Sequence, residues 1–156
     1  MSHSVTSTRR LVLPADANHH GTLYAGSLLR IALESAYGTA YETIGRGANV
    51  LLRRVLSVEC QRPVPVGTMI EIRGTVLYAT RRYLVVGLLG TPLAEGDKPW
   101  MEALMGFVQV DKHGRPAPFP RELGTPPPFS AEWQPLLERF EKLRQGTRAA
   151  VDQEKQ

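Results

Sequence analysis

The chain has 156 residues, of which 42% are hydrophobic and 22% charged, and its formal net charge is +4. This length and composition are typical of one folded domain and exclude an intrinsically disordered chain. No apolar run approaches the ~18 residues needed to span a bilayer, so no membrane partner is expected. The arginines are dispersed rather than gathered in one basic block, which argues against nucleic-acid binding and is compatible with a phosphorylated small molecule.

Cys60 is the single cysteine of the sequence. Because it cannot form an internal disulfide, a reducing cytoplasm is the expected compartment. The first ten residues contain no apolar segment of the kind that a secretory signal requires, which favours the same location. Cys60 also falls in the apolar phase of a predicted strand, so we expect its thiol to be buried.

The predicted elements begin with a strand-like segment at residues 6–13. From Ser27, apolar and small residues recur at helical spacing to about residue 44, where Gly45-Arg-Gly47 ends the helix. Patterns of period two predict four further strands, at residues 50–60, 70–78, 83–89 and 100–110. The strand at 83–89 is apolar on both faces and should be central in the sheet. One helix covers only one face of a sheet, so we expect a second subunit to cover the other face.

The composition changes to proline beyond residue 115. We expect residues 1–125 to form a single domain and residues 126–156 to form a proline-rich exit, a short helix and a disordered tail. Ser130 is a suitable residue to cap that helix, and Trp133 and Phe140 lie on its apolar face. Gly146 is predicted to end it.

The loop that precedes the long helix is the most informative segment of the chain. From Asp16 to Gly26 it contains Asn18, two histidines and two glycines, and it leads directly into the helix N-terminus. The first N–H groups of a helix have no intrahelical partner and carry partial positive charge. Gly26 allows a ligand to approach that backbone closely. This arrangement suits a carbonyl group or an anion, and Glu34 lies two turns further along the same helix.

Three segments resemble hotdog-fold acyl-CoA thioesterases. Asn18-His-His-Gly-Thr-Leu-Tyr-Ala-Gly26, followed by Glu34, is similar to that family's Asn-x-x-Gly-x-x-Phe-Gly-Gly loop and the acidic residue on its helix. Gln61-Arg-Pro-Val-Pro-Val-Gly67 resembles the family's Lys/Arg-Pro-Val-x-Val-Gly segment. The segment from Phe107 to Pro120 resembles its last strand, turn and proline exit. Together these matches cover roughly residues 8–120.

The resemblance implies an α+β hotdog fold, in which an antiparallel sheet of about five strands wraps one long helix. It implies a homo-oligomer built from dimers, possible multiples being a tetramer or a hexamer, with the active site at the dimer interface. The implied reaction is hydrolysis of an acyl-CoA to a free carboxylic acid and CoA, with no metal and with CoA present only as part of the substrate. Two alternatives stay open: a hotdog hydratase or dehydratase acting on acyl thioesters, and a non-catalytic module that binds an acyl thioester or another effector.

By the same resemblance, Glu34 is the candidate general base or nucleophile. Asn18 would orient water or hold the thioester oxygen, the Gly26 N–H would stabilise the oxyanion, and His20 would line the site. Arginine suits the CoA phosphates because its planar group donates two hydrogen bonds. The candidates for that role are Arg54, Arg62, Arg81, Arg82 and Arg115.

Each of these roles has a structural alternative. Glu34 could simply pair with Arg30 one turn earlier on the helix, and Asn18 could form an Asx turn within its loop. Adjacent His19 and His20 should have diverging side chains, so we do not expect them to bind one metal ion together. Leu33 occupies the usual position of the helix acid, one residue before Glu34, and this shift turns the side chain by about 100° around the helix.

Overall fold

The structure is a computed structural model that describes residues 4–124, 126 and 129–155. Its five strands form one antiparallel sheet in the order β1-β3-β4-β5-β2. The predicted succession of a strand, a long helix and four more strands is confirmed. The elements are β1 (Thr6–Leu11), α1 (Ala25–Ile44), β2 (Val50–Cys60), β3 (Met69–Ala79), β4 (Tyr83–Gly90), β5 (Met101–Gln109) and α2 (Gln134–Glu154).

Helix α1 packs on one face of the sheet through its small and apolar residues. Ala32, Ala36 and Ala40 are fully buried and belong to the same core as Leu84 and Val86 of β4. Such small side chains let the helix backbone approach the strands closely, as the sequence pattern predicts. The sheet also has a small residue where the helix approaches it. A Cβ atom on Gly74 of β3 would collide with the Thr39 hydroxyl of α1.

Helix α2 covers the opposite face of the sheet. Trp133, Leu136 and Phe140 are buried there against Val85 of β4 and Leu104 of β5. The expectation that a second subunit covers this face is therefore wrong, because the chain supplies the cover itself. The sequence pattern correctly indicated that β4 is apolar on both faces, since Leu84 and Val85 lie in two different hydrophobic clusters.

The C-terminal helix is longer than its sequence suggests. Helix α2 runs from Gln134 to Glu154 and passes through Gly146. The predicted short helix and disordered tail are wrong, because one glycine costs a helix only ~1 kcal/mol relative to alanine. Good helix formers follow it, and the Thr147 hydroxyl donates to the Leu143 carbonyl oxygen at 3.0 Å. Of the proline-rich exit, residues 125, 127 and 128 lie outside the described residues.

Strand β2 is an edge of the sheet and is irregular. Its pairing with β5 is shifted between Leu52 and Arg54 and again between Val55 and Ser57. Cys60, at the end of this edge strand, is exposed, and its thiol donates to the Arg62 carbonyl oxygen at 3.2 Å. The prediction of a buried thiol is wrong because an edge strand lacks a neighbour on one side.

Ion pairs also fasten α2 to the sheet. The Arg139 guanidinium lies 2.8 Å from the Glu102 carboxylate of β5 and 3.1 Å from that of Glu59 on β2.

Neither helix in the described part of the chain combines the length and the apolar character needed to cross a membrane.

Candidate functional site

Asn18 shapes the loop that leads into α1. Its side-chain oxygen accepts the backbone N–H groups of His20 and Thr22, at 2.9 and 3.2 Å. Its amide nitrogen donates to the Thr22 hydroxyl at 3.0 Å, and its backbone N–H donates to the Thr22 carbonyl at 2.8 Å. Gly21 completes the turn with a φ of 74°. The geometry is thus that of an Asx-type turn, and it places the Asn18 side chain as the organising group of the loop.

Asp16 anchors this loop to two other elements. The buried carboxylate accepts the Leu13 N–H at 3.0 Å and the Arg10 guanidinium of β1 at 3.1 Å, and Arg30 of α1 lies 3.8 Å away. The Leu13 hydrogen bond lowers the pKa of Asp16, partial burial opposes that effect, and the charge of Arg10 adds to it. Sequence reasoning gave Asp16 no role. Its signal was its spacing, three residues after Leu13, the residue that precedes the Pro14–Asp16 turn, where a carboxylate can accept the free Leu13 N–H.

The N-terminus of α1 is open to solvent. Tyr24 is the residue before the first helical turn, and it makes no side-chain capping hydrogen bond. Ala25 and Gly26 are both exposed, and the first N–H groups of a helix have no intrahelical acceptor. A Cβ atom at position 26 would collide with the Tyr24 ring. Gly26 is therefore required for this ring position, which leaves a partly positive backbone beside an aromatic side chain.

Glu34 is exposed and lines a small cavity of about 210 Å3 between α1 and β1. Arg9 and Arg10 of β1 line the same cavity, and their guanidinium groups pair with Glu71 at 3.2 Å and with Asp16 at 3.1 Å. The ion pair recorded for Arg30 is with Asp16 rather than with Glu34. The alternative in which Glu34 serves only as the partner of Arg30 is therefore not the arrangement found among the described residues. Leu33, at the usual acid position, is half-buried and packs against the core.

The two histidines of the loop do not diverge as predicted. The ring centroids of His19 and His20 are 3.9 Å apart, because the Asx-type turn brings neighbouring side chains to one side. Both residues are exposed, and His20 contributes its backbone N–H rather than its ring to the Asn18 interaction. Within the described ranges, no three His, Cys, Asp or Glu side chains are placed to hold a metal ion.

The five arginines considered for phosphate binding do not converge on one place. Arg62 pairs with Asp97 at 2.7 Å, and Arg54 lines a different cavity beside α2. Arg81 and Arg82 lie in the turn between β3 and β4, where their carbonyl oxygens accept the N–H groups of Phe119 and Gln109. Arg115 lies in the turn after β5, where its N–H donates to Asp111 at 3.0 Å. One chain alone therefore does not assemble a five-arginine phosphate site.

No protein-family model and no curated protein sequence matches the chain. Solved structures do resemble it. An acyl-CoA hydrolase from Staphylococcus aureus, in complex with butyryl-CoA, CoA and CoA disulfide, is 26% identical with a TM-score of 0.75, over 97% of this chain and 90% of that one. An apo hexameric acyl-CoA thioesterase is 28% identical with a TM-score of 0.75, over 96% and 94% of the two chains. A hexameric thioesterase from Yersinia pestis, 22% identical over 74% and 94%, shares the fold with a TM-score of 0.64.

Further structures of the Staphylococcus aureus hydrolase carry alanine in place of an asparagine, an aspartate or a threonine. The altered asparagine and aspartate are fifteen positions apart in that chain. In the present chain the fifteenth position after Asn18 is Leu33, and Glu34 is the next residue. The acid is therefore absent from that spacing in the present chain, and the role of Glu34 stays a prediction. The fold and these likenesses identify the chain as a structural relative of the hotdog-fold acyl-CoA thioesterases, which confirms the resemblance seen in its sequence.

Proposed function

We propose that this protein hydrolyses an acyl-CoA thioester to a free carboxylic acid and CoA. The observation that carries the proposal is the open N-terminus of α1, held beside the Asn18 loop by the ion pairs of Asp16. It offers backbone donors where a thioester oxygen would develop negative charge. Glu34 supplies a carboxylate on the same helix. The likeness to acyl-CoA hydrolases at 26–28% identity supports this assignment.

In the proposed reaction, a water oxygen attacks the thioester carbonyl carbon while Glu34 of the partner subunit accepts the water proton. The two subunits are needed because eight helical residues separate Glu34 from Gly26 of its own chain by about 12 Å. The N–H groups of Ala25 and Gly26 donate to the resulting oxyanion. The carbon–sulfur bond then breaks, and the CoA thiolate leaves and takes up a proton. These steps need no metal and no redox cofactor, and CoA enters only as part of the substrate. Asn18 holds the loop in the shape that leaves the helix N-terminus accessible.

We also propose that the protein associates with copies of itself, as hexameric relatives do. Leu29 and Tyr41 of α1 are 47% and 43% exposed, and they lie on the side of the helix where Leu33 and Tyr37 are half-buried. On the neighbouring edge strand β2, Leu51 and Val55 are 49% and 47% exposed. An exposed apolar edge strand is a surface that proteins usually cover. Pairing through this surface forms the dimer, at whose interface the resemblance places the active site.

A non-catalytic acyl-thioester-binding module is the second candidate, and Leu33 is the observation that favours it. The side chain at the usual acid position packs against the core instead of carrying a charge. Such a protein would keep the loop and the helix N-terminus for binding but would lack a correctly placed base. The two candidates differ in whether Glu34 acts as the base, and replacement of Glu34 tests this directly.

The test is a thiol-release assay with the purified protein and a panel of short, medium and long acyl-CoAs. Thiol release above background for at least one of them supports the hydrolase. Tight CoA binding without release supports the binding module. Hydration of an enoyl-CoA without thiol release would instead assign the protein to the hydratases of this fold.

A further inference from the structure

A second cavity lies on the opposite side of the sheet from α1. It has a volume of about 390 Å3 and lies between α2 and the strands β2, β3 and β4. Four arginines line it, Arg53 and Arg54 from β2 and Arg144 and Arg148 from α2. We call it the arginine cavity. Its volume falls in the range of small-molecule sites.

An irregularity of β2 brings both strand arginines to the arginine cavity. Consecutive residues of a regular strand point to opposite faces. The register of β2 against β5 shifts between Leu52 and Arg54, so Arg53 is an extra residue of a bulge. The adjacent arginines therefore line the same cavity instead of separating to the two faces of the sheet.

Aromatic rings lie between these arginines. Tyr78, Tyr83 and Phe140 line the cavity, and the Arg144 guanidinium carbon lies 4.5 Å from the centre of the Tyr78 ring. The Tyr83 hydroxyl extends over Gly106 of β5, where any Cβ atom would collide with it. Burial raises the pKa of Tyr83, and the charges of Arg54 and Arg53 partly oppose this effect. The tyrosine therefore lies within the electrostatic field of the strand arginines.

The charge of the arginine cavity is poorly neutralised. Arg144 pairs with Glu141 at 3.1 Å. Across the described ranges, Arg53, Arg54 and Arg148 have no carboxylate within 4.0 Å. Like charges lining one cavity repel each other, and a bound anion relieves that repulsion.

A cavity of about 790 Å3 beside β3, β4 and the loop that follows β4 has the opposite character. Its two arginines, Arg62 and Arg73, pair with Asp97 at 2.7 Å and with Glu132 at 2.6 Å. Their charge is already balanced by carboxylates of the same chain. Of these two cavities, only the arginine cavity therefore has guanidinium groups without a carboxylate partner among the described residues.

We propose that the arginine cavity binds an organic phosphate that carries a planar ring, with the chemistry of a nucleoside diphosphate. Guanidinium groups donate paired hydrogen bonds to phosphate oxygens, and they also stack on flat rings. The half-buried rings of Tyr78 and Tyr83 provide apolar surface for the base. A ligand of this class is either a free nucleotide or the nucleotide half of CoA. The inference does not rest on thioester hydrolysis, because the cavity lies on the other face of the sheet from Glu34.

The test is isothermal titration calorimetry of ADP into the full-length protein and its variants. Arg53→Gln on β2 and Arg148→Gln on α2 should each weaken ADP binding about 10-fold or more, since each removes a charged donor to phosphate. Arg46→Gln, an exposed arginine beyond the end of α1, removes the same charge elsewhere and should leave affinity within about twofold. Inorganic pyrophosphate, which lacks a ring, should bind more weakly than ADP.

Absence of ADP binding at millimolar concentration would overturn the proposal. It would also be overturned if Arg46→Gln lost as much ADP affinity as Arg53→Gln and Arg148→Gln, because binding would then depend only on the net charge of the protein. Thermal melting of each variant verifies the fold. Displacement of ADP by CoA, with a raised KM for acyl-CoA in Arg148→Gln, identifies CoA as the source of the ligand. Binding of ADP that CoA does not displace identifies a free nucleotide, and either result supports the site. Glu34→Gln should bind ADP like the unmodified protein, so a failure of the hydrolase proposal would be distinguishable.

Discussion

Asp16 and Arg10 form a partly buried ion pair, with 3.1 Å between the carboxylate oxygen and the guanidinium nitrogen, that ties the loop before α1 to strand β1. Asp16 is 5% exposed at its side chain and Arg10 is 34% exposed. Because Arg30 of α1 approaches the same carboxylate, one buried charge orients three segments of the chain around the helix N-terminus.

This arrangement predicts that Asp16 contributes to acid sensitivity. The pKa of Asp16 in the folded protein lies below its ordinary value of 3.8. A depressed pKa stabilises the fold above the unfolded value, and that contribution is lost as the pH falls through the folded value. We expect Asp16→Asn to lower the melting temperature at neutral pH and to flatten its decline below about pH 4. Calorimetric melts between pH 2 and 7 test this, and parallel curves for the two proteins would contradict it.

Replacement of Glu34 tests the catalytic proposal. Glu34→Gln keeps the size of the side chain and removes its charge, so kcat should fall by about 10²-fold or more if Glu34 activates water. Glu42→Gln, on an exposed position two turns further along α1, is the matched control and should retain full turnover. Steady-state thiol release measures both. Full activity in folded Glu34→Gln would require another base, with His19 or His20 examined first.

Two substitutions of Asn18 separate its hydrogen bonds. Asn18→Ala removes all of them, and turnover should fall about 10-fold or more because the loop loses its shape. Asn18→Asp keeps the oxygen that accepts the His20 and Thr22 N–H groups but removes the donor to the Thr22 hydroxyl. We expect the aspartate variant to melt near the unmodified protein and the alanine variant to melt lower. Identical melting of the two variants would argue against the loop-shaping role.

The exposed residues of β2 test self-association. Leu51→Arg places a charge on the apolar edge surface, and light scattering should show a shift from oligomer to smaller species. Leu93→Arg introduces the same charge at another partly exposed leucine, in the loop between β4 and β5, and should leave the mass unchanged. A monomeric unmodified protein at micromolar concentration would contradict the proposal itself.

The contact between α2 and the sheet can be measured by truncating its side chains. Leu136 is fully buried, so Leu136→Ala should reduce the free energy of unfolding by about 2–5 kcal/mol. Leu143, on the same helix, is 37% exposed, and Leu143→Ala should cost much less. Chemical denaturation of both variants gives the comparison. Equal, small losses would show that α2 is only loosely attached.

The sequence predicted the elements of the sheet well, because hydrophobic periodicity is local. The bounds of β2 agree with the predicted segment, and α1 begins within two residues of its predicted start. The role of α2 escaped prediction. Periodicity showed that β4 needed two covering layers but could not show that Leu136 and Phe140, far along the chain, supply one of them.

The sequence predicted which segment forms the candidate site, but it did not predict how the side chains of that segment are arranged. Asn18, Gly26 and Glu34 were found through their motif, but their hydrogen bonds depend on tertiary contacts. The ion pairs of Asp16 with Arg10 and Arg30 join residues whose proximity no local pattern expresses. The cavity shared by Arg53 and Arg54 depends on a bulge, which breaks the alternation that sequence reading assumes.

The strand order has a consequence for how the chain reaches its native state. Among the described residues, strand β2 pairs only with β5. Val50 and Gln109, which pair with each other, are therefore separated in sequence by β3 and β4. Pairings between distant segments close large loops before any contact repays the lost entropy, and such topologies fold slowly. During synthesis, β2 and its exposed Leu51 and Val55 emerge well before β5 exists. The same edge that suits partnership between finished subunits is therefore the segment most exposed to aggregation in the nascent chain.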